Sequence, residues 1–255
     1  MPISPPTITR RHDDLLIIGG KMPLPGLAKT RLGAHLTHNV AARLYEAFVT
    51  DVARRFAHAA DGLGYDLAWG FTPAGADFAG LIARIAPDAP RPSHFIAQVG
   101  PDWGVRQVNL LRWGHDYGYA RTVLIASDSP QLQPEVTAAA FAALQDYDVA
   151  MGRVHDGGYY LIGGRGFHDI ITGAPMSTAQ AADALADRAA ELGLTMAELP
   201  GSFDIDVTDD LATLIATLRP DGAAAPATWA ALHELGLVAD GVLTTAGSTN
   251  TTPGT

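Results

Sequence analysis

The sequence predicts an α/β fold: a single-domain, three-layer α/β/α arrangement around a mostly parallel sheet. Three observations predict it. Short apolar runs alternate with segments of helical period along the chain, a pattern that calls for a parallel sheet covered on both faces. A length of 255 residues, 47% of them apolar, suits one large α/β domain with a substantial core. No internal repeat or long linker divides the central part. The expected domain is therefore 15–240, between a flexible N-terminal segment, 1–14, and a flexible Gly/Ser/Thr tail, 241–255.

The elements follow in order. Leu15-Leu16-Ile17-Ile18 is a buried strand closed by Gly19-Gly20. Val40, Leu44, Phe48, Val52 and Phe56 recur every four residues and place a long helix over Thr37–Ala59, ended by Asp61-Gly62. Tyr65–Phe71 reads as a strand, Asp77–Ala86 as a short helix, His94–Gln98 as a strand and Val105–Tyr117 as a helix. Thr122–Ala126 is the clearest buried strand and runs into Ser127-Asp128-Ser129-Pro130. A helix from near Pro134, strands at Asp148–Met151 and Tyr159–Ile162, a helix over Thr178–Leu192 and a strand at Met196–Leu199 follow. Helices near Asp209–Leu218 and Thr228–Leu235 complete the pattern. In such sheets ligands sit beyond the carboxyl ends of the strands, so the segments after Ile18, Ala126 and Met151 are expected to hold the chemistry.

Composition narrows the function. The chain carries 17 Lys+Arg against 27 Asp+Glu, a formal net charge of −10, which argues against a nucleic-acid partner. It has no cysteine, so disulfides, thiolate metal sites and Cys nucleophiles are excluded. It shows no membrane-spanning run and no apolar leader at its start, so no membrane partner and a cytoplasmic location are expected. Several familiar motifs come close and miss. Gly20 and Gly26 are one residue too far apart for a Walker A loop, no G-x-G-x-x-G opens the first helix, and Ser127 and Ser129 lack the glycines of a nucleophile elbow. The histidines form no convincing ligand pair.

The most informative stretch follows the first strand: Gly19-Gly20-Lys21-Met22-Pro23-Leu24-Pro25-Gly26-Leu27-Ala28-Lys29-Thr30-Arg31-Leu32-Gly33. Lys21, Lys29 and Arg31 cluster in a chain that has few cations. Two prolines stiffen the turn, and Gly19, Gly20 and Gly26 let backbone N–H groups approach a ligand. Clustered cations on a rigid loop at a strand's carboxyl end make a cradle for a nucleotide phosphate; a merely solvating loop would not require the prolines.

With its K-x-P-x-P-G-x-x-K-T-R-L pattern, this stretch resembles the signature of an uncharacterised branch of the GT-A-fold transferases. The branch is grouped with molybdenum cofactor guanylyltransferase and 2-phospho-lactate guanylyltransferase. Further blocks are similar to that family in the same order: Gln98 to Arg106 to its QxGxDLGxR segment, Ser127 to Pro130 to GSDSP, and Asp156 to Gly163 to DGGYYLIG. Ser177-Thr178 and Asp204-Ile205-Asp206-Val207-Thr208-Asp209-Asp210-Leu211 resemble its WST and DIDTPEDL elements. The likeness spans Leu15 to about Leu218 and implies a GT-A (nucleotide-diphospho-sugar transferase) like fold. The chain departs from the pattern at Gly20 and Met22, at Ala126 before Ser-Asp-Ser-Pro, at Trp103 in place of leucine and at Met176 in place of tryptophan.

The carboxylates are read beside that likeness. Asp128 ends the best parallel strand, where one carboxylate suffices to bind Mg²⁺ (or Mn²⁺) against phosphate oxygens; equally, it is a helix N-cap and entry turn. A second ligand must come from Asp204 or Asp206, and the resemblance selects Asp206. Asp156-Gly157-Gly158 is a hairpin turn by its local chemistry, and the resemblance adds acceptor binding by Asp156, Gly157, Gly158 and Tyr159. Tyr159 and Tyr160 point to opposite faces of a strand, so at most one is expected in a pocket. Gln98, Gly100 and Arg106 are candidates to hold the base or the phosphates, although Arg106 equally suits the first turn of an exposed helix. The expected partners are a nucleotide, as NTP or NDP-sugar, and a small-molecule acceptor. The expected activity is Mg²⁺-dependent transfer of an NMP from an NTP to a small phosphorylated or acidic acceptor, with Lys29, Arg31 and Asp128 as the catalytic groups. Glycosyl transfer from a nucleotide-sugar is the alternative on the same fold, and a non-catalytic nucleotide-binding module is a third reading.

Overall fold

Leu15 to Ile18 form the centre of a strand that runs further than its apolar residues, β1 (Asp14–Lys21), taking in both glycines expected to close it. Gly19 and Gly20 stay in the ladder because each is paired to β2 in register, with Gly70 and Phe71. The chain continues as α1 (Thr30–His35), α2 (His38–Leu63), β2 (Tyr65–Thr72), α3 (Phe78–Ile85), β3 (His94–Ala97), α4 (Trp103–Asp116), β4 (Arg121–Ala126) and α5 (Glu135–Ala143). It ends with β5 (Val149–Val154), β6 (Tyr159–Arg165), α6 (Ala181–Glu191), β7 (Met196–Ser202), α7 (Thr208–Leu218) and α8 (Pro226–Glu234). The computed structural model describes residues 9–238. Most of the expected N-terminal segment, 1–8, and the whole expected tail, 241–255, lie outside them.

Local chemistry sets the helix ends. Thr37, Asp77 and Asp102 each accept a backbone N–H three residues on, from Val40 (3.2 Å), Gly80 (2.8 Å) and Val105 (2.9 Å), and so start α2, α3 and α4. The long helix α2 passes the expected stop at Asp61-Gly62 and ends where Gly64 turns left-handed with φ 76°. α1 lies in the stretch read as loop, and α6 starts at Ala181, three residues later than expected.

The seven strands run in the order β3-β2-β1-β4-β6-β5-β7. All pairings are parallel except those of β6, which is antiparallel to both β4 and β5. The alternation along β1 divides two cores. Leu16 and Ile18 face one shared with α2, α3, α5, α7 and α8; Leu15 and Ile17 face the other, under α4 and α6. These are the three layers expected.

The part of the N-terminal segment that is described does not hang free. Arg11 reaches the carboxylates of Asp61 at 3.0 Å and Asp66 at 3.6 Å, and the Asp13 carbonyl accepts from the Ala120 N–H at 2.8 Å. Ion pairs to the sheet's far end thus anchor residues expected to be loose. Among the described residues no helix is long and apolar enough to cross a membrane.

Candidate active site

Strand order reverses between β1 and β4, and a crevice opens beyond their carboxyl ends. Antiparallel β6 presents its amino end there. A cavity of about 430 Å³ occupies this position.

The cationic loop is stitched to its surroundings by backbone bonds. The Tyr45 hydroxyl of α2 accepts from the Lys21 N–H at 3.0 Å and pairs with Ser127 Oγ at 2.7 Å, and Ser127 Oγ donates to the Gly19 carbonyl at 2.9 Å. Burial, with the Asp128 carboxylate adding to it, pushes the Tyr45 hydroxyl up to about 12, so it stays neutral. Lys29 then turns inward as the N-cap of α1, in the left-handed region with φ 50° and ψ 47°. A lysine held there costs about 1 kcal/mol or more, and the surrounding contacts retain it.

Those contacts are two carboxylates. The Lys29 side chain is only 4% exposed, and its Nζ lies 3.0 Å from Asp128 Oδ1 and 3.0 Å from Asp206 Oδ1. Arg31 reaches the other oxygen of Asp206 at 3.4 Å. Burial works against the lysine's charge, but Asp128 and Asp206 outweigh it and hold its pKa above the ordinary value. Burial likewise opposes charge on Asp206, and Lys29 overcomes it, so Asp206 lies below the ordinary carboxylate range. Asp204 borders the same cavity without a protein hydrogen bond among the described residues; desolvation first, then the charge of Asp206, push it up to about 6.

Backbone geometry explains why these acidic segments meet. The Ile205 N–H donates to the Asp128 carbonyl at 3.2 Å, and Ser129 Oγ and Gln131 Nε2 both donate to the Phe203 carbonyl, at 2.9 and 2.7 Å. Asp210 accepts the N–H groups of Asp206 and Val207, each at 2.8 Å, and fixes the start of α7. Asp128 does not cap a helix: α5 begins later, with Pro134 at its N-cap position. The expected entry turn is present, with the Leu132 N–H donating to the Ser129 carbonyl.

Asp156, Gly157 and Gly158 form the hairpin between β5 and β6, with the Gly158 N–H donating to Asp156 Oδ1 at 2.9 Å. Gly157 has φ 90°, and a Cβ there would collide with the Ala179 carbonyl oxygen. The hairpin therefore packs against the segment that carries Ser177 and Thr178.

Of the residues expected in the site, Gly19, Gly20, Lys21, Lys29, Arg31, Gln98, Asp128, Asp156, Gly158, Tyr159 and Asp206 all border the cavity. Four do not. Gly26 supplies a left-handed turn with φ 77°, Gly157 is spent on packing, and Arg106 donates from Nε to the Gly100 carbonyl at 2.9 Å. Gly100 and Arg106 thus close the first turn of α4 on each other. The Gln98 side chain is also committed, donating to the Gly70 carbonyl at 2.8 Å. Tyr159 and Tyr160 both border the cavity, against expectation, because it lies across the end of the sheet and so meets both of its faces. Trp103 and Gln107 were missed. Their spacing of four on α4 was legible, but the face that α4 turns toward the crevice was not.

Comparison with known proteins agrees with this architecture. Residues 71–178 match the family described as "Uncharacterized protein conserved in bacteria (DUF2064)". A crystal structure from Desulfovibrio desulfuricans G20, provisionally described as a nucleotide-diphospho-sugar transferase, is 33% identical, with 88% of this chain and 95% of that one covered and a TM-score of 0.78. A 4-diphosphocytidyl-2C-methyl-D-erythritol synthase from Anaerococcus prevotii DSM 20548 shares the fold at 10% identity, with 81% and 96% covered and a TM-score of 0.52. Among curated proteins, none matches.

Proposed function

This chain belongs to the family of the Desulfovibrio desulfuricans G20 protein, and on that premise we propose that it is a transferase that moves a nucleotidyl group from a nucleoside triphosphate to a small acceptor, releasing pyrophosphate. The observation that carries this reading is the buried Lys29 ammonium between Asp128 and Asp206, with Lys21 and Arg31 bordering the same crevice. Nucleotidyl transfer asks a protein chiefly for positioning and charge compensation. Lys29 is fixed and charged at neutral pH, which suits it to hold a phosphate oxygen without reorganisation. Lys21 and Arg31 are both exposed at the mouth of the crevice, where each would reach the outer phosphates, Arg31 from its 3.4 Å pairing with Asp206.

Lys29 fills the position between Asp128 and Asp206, so a divalent ion has to sit beside it, on a carboxylate oxygen that the ammonium leaves open. One carboxylate completed by phosphate oxygens fits Mg²⁺ (or Mn²⁺), which when bound would draw negative charge from the phosphates. Among the described residues Asp128 keeps its second oxygen without a partner, which suits it better to that role than Asp206, whose oxygens both face cations.

The acceptor expected from the sequence was phosphorylated or acidic. Among the described residues the hairpin half of the cavity offers Asp156 and Asp204 and no cation, which favours an acceptor whose body there is uncharged and which attacks through a hydroxyl. The second reading is sugar transfer from a nucleotide-sugar, favoured by the description of the Desulfovibrio relative. Incubation with Mg²⁺, each NTP and a panel of hydroxyl-bearing acceptors separates the two. Pyrophosphate release supports nucleotidyl transfer, whereas NDP release from nucleotide-sugars with no pyrophosphate from any NTP overturns it in favour of the second reading.

A further inference from the structure

The wall opposite the charged cluster holds a donor with nothing to donate to. Gln107 borders the cavity, is 2% exposed, and accepts from the Tyr159 hydroxyl through Oε1 at 3.2 Å. Its Nε2 has no acceptor among the described residues. Buried amide groups are nearly always paired, and one left open beside a ligand cavity is a natural partner for a ligand atom. Burial keeps the Tyr159 hydroxyl protonated, its pKa above the ordinary tyrosine value, so it goes on donating to Oε1 and aims Nε2 away from itself.

The surroundings of that amide are flat and uncharged. Trp103 lies one helical turn before Gln107 on α4, and its ring tip would come within 3.1 Å of a Cβ at Gly19. Met176 packs against Gly104 and lies 3.8 Å, through its sulfur, from the Tyr159 hydroxyl. Leu124 and Ile125 complete the border. Among the described residues no charged side chain belongs to this wall; the cations and carboxylates line the rest of the cavity.

We propose that Trp103, Gln107, Tyr159 and Met176 form a ring-binding subsite, in which an uncharged ring lies against the aromatic and thioether surface and an oxygen of that ring accepts from Gln107 Nε2. Gln107 is then the specificity-determining residue of the cavity. Two sources supply that chemistry: a nucleobase carbonyl, or a ring hydroxyl or ring oxygen of the acceptor. The first source rests on the nucleotide reading of the cavity; the subsite itself does not.

The test titrates wild type, Gln107→Leu and Tyr159→Phe by calorimetry with inorganic tripolyphosphate, the four ribonucleosides and their triphosphates, and D-glucose and D-mannose. Gln107→Leu is expected to weaken at least one ring-bearing probe by about tenfold, the effect of one lost hydrogen bond, and to leave tripolyphosphate unchanged. Loss with a nucleoside and its triphosphate assigns the ring to the base. Loss with a monosaccharide alone assigns it to the acceptor. Equal binding of every ring probe by wild type and variant, or no binding of any of them by wild type, overturns the proposal. If Gln107→Leu loses its cooperative melt, Tyr159→Phe decides: weaker binding of the same ring probe supports the subsite, and unchanged binding overturns it. Failure of tripolyphosphate to bind wild type would retire the phosphate reading and leave the ring titrations to judge this one.

Discussion

Lys29 and Asp206, 177 positions apart in the chain, meet at 3.0 Å at the base of the cavity. The contact joins the loop after the first strand to the start of α7. Because the Lys29 side chain is almost completely buried while Asp206 is 40% exposed, the lysine depends on the pair more than the aspartate does.

Lys29→Ala is therefore expected to weaken binding of a nucleoside triphosphate by about 1–3 kcal/mol, the scale of a lost charge-assisted hydrogen bond. Removing the lysine also leaves Asp128 and Asp206 facing each other, with Arg31 and, from further away, Lys21 to compensate. Calorimetric titration of the variant checks it, and an unchanged affinity would show that the cradle does not hold phosphate.

Asp128→Asn is expected to abolish turnover with little loss of stability. The side chain caps no helix, and Lys29 keeps Asp206 as its partner. Pyrophosphate release and the melting temperature, measured on one preparation, separate the two effects. A large drop in melting temperature would instead make Asp128 a structural residue.

Gly157→Ala is expected to cost about 1–3 kcal/mol, because φ is 90° and the added Cβ would collide with the Ala179 carbonyl oxygen. The same change at Gly26, where φ is 77° and a Cβ would meet nothing within 4 Å among the described residues, is expected to cost only about 1 kcal/mol. Denaturant unfolding of the two variants gives the comparison; equal losses would contradict the packing of the hairpin on the segment after Met176.

Asp148 gives a pH dependence away from the site. The Thr195 backbone N–H, then Arg165 and the Thr195 hydroxyl, hold its carboxyl well below the ordinary carboxylate range. A depressed pKa in the folded state means that the stabilisation is present above the unfolded value, about 3.9, and fades as pH falls toward the folded one. Asp148→Ala is expected to lose about 1–3 kcal/mol at neutral pH. Its deficit against wild type should shrink steadily as the pH drops below about 4. Unfolding curves across that range check the sign, and a deficit that grew in acid would reverse the assignment.

Much of this molecule was fixed by local sequence. The apolar runs at Leu15–Ile18 and Thr122–Ala126 placed two neighbouring central strands, and Thr37, Asp77 and Asp102 set helix starts, because period and capping act over only a few residues. The same holds for the candidate cradle: Lys21, Lys29, Arg31, Asp128 and Asp206 were visible as residue types placed after strands or in an acidic segment late in the chain. Only the tertiary structure decided which of them touch. Lys29 turns inward through a left-handed backbone that no propensity favours, and Gly100 and Arg106 satisfy each other outside the cavity. Gln107 and Trp103 enter it because α4 packs with that face toward the crevice. Contacts between distant segments depend on how the layers stack, and a pattern read over one helical turn carries no record of that stacking.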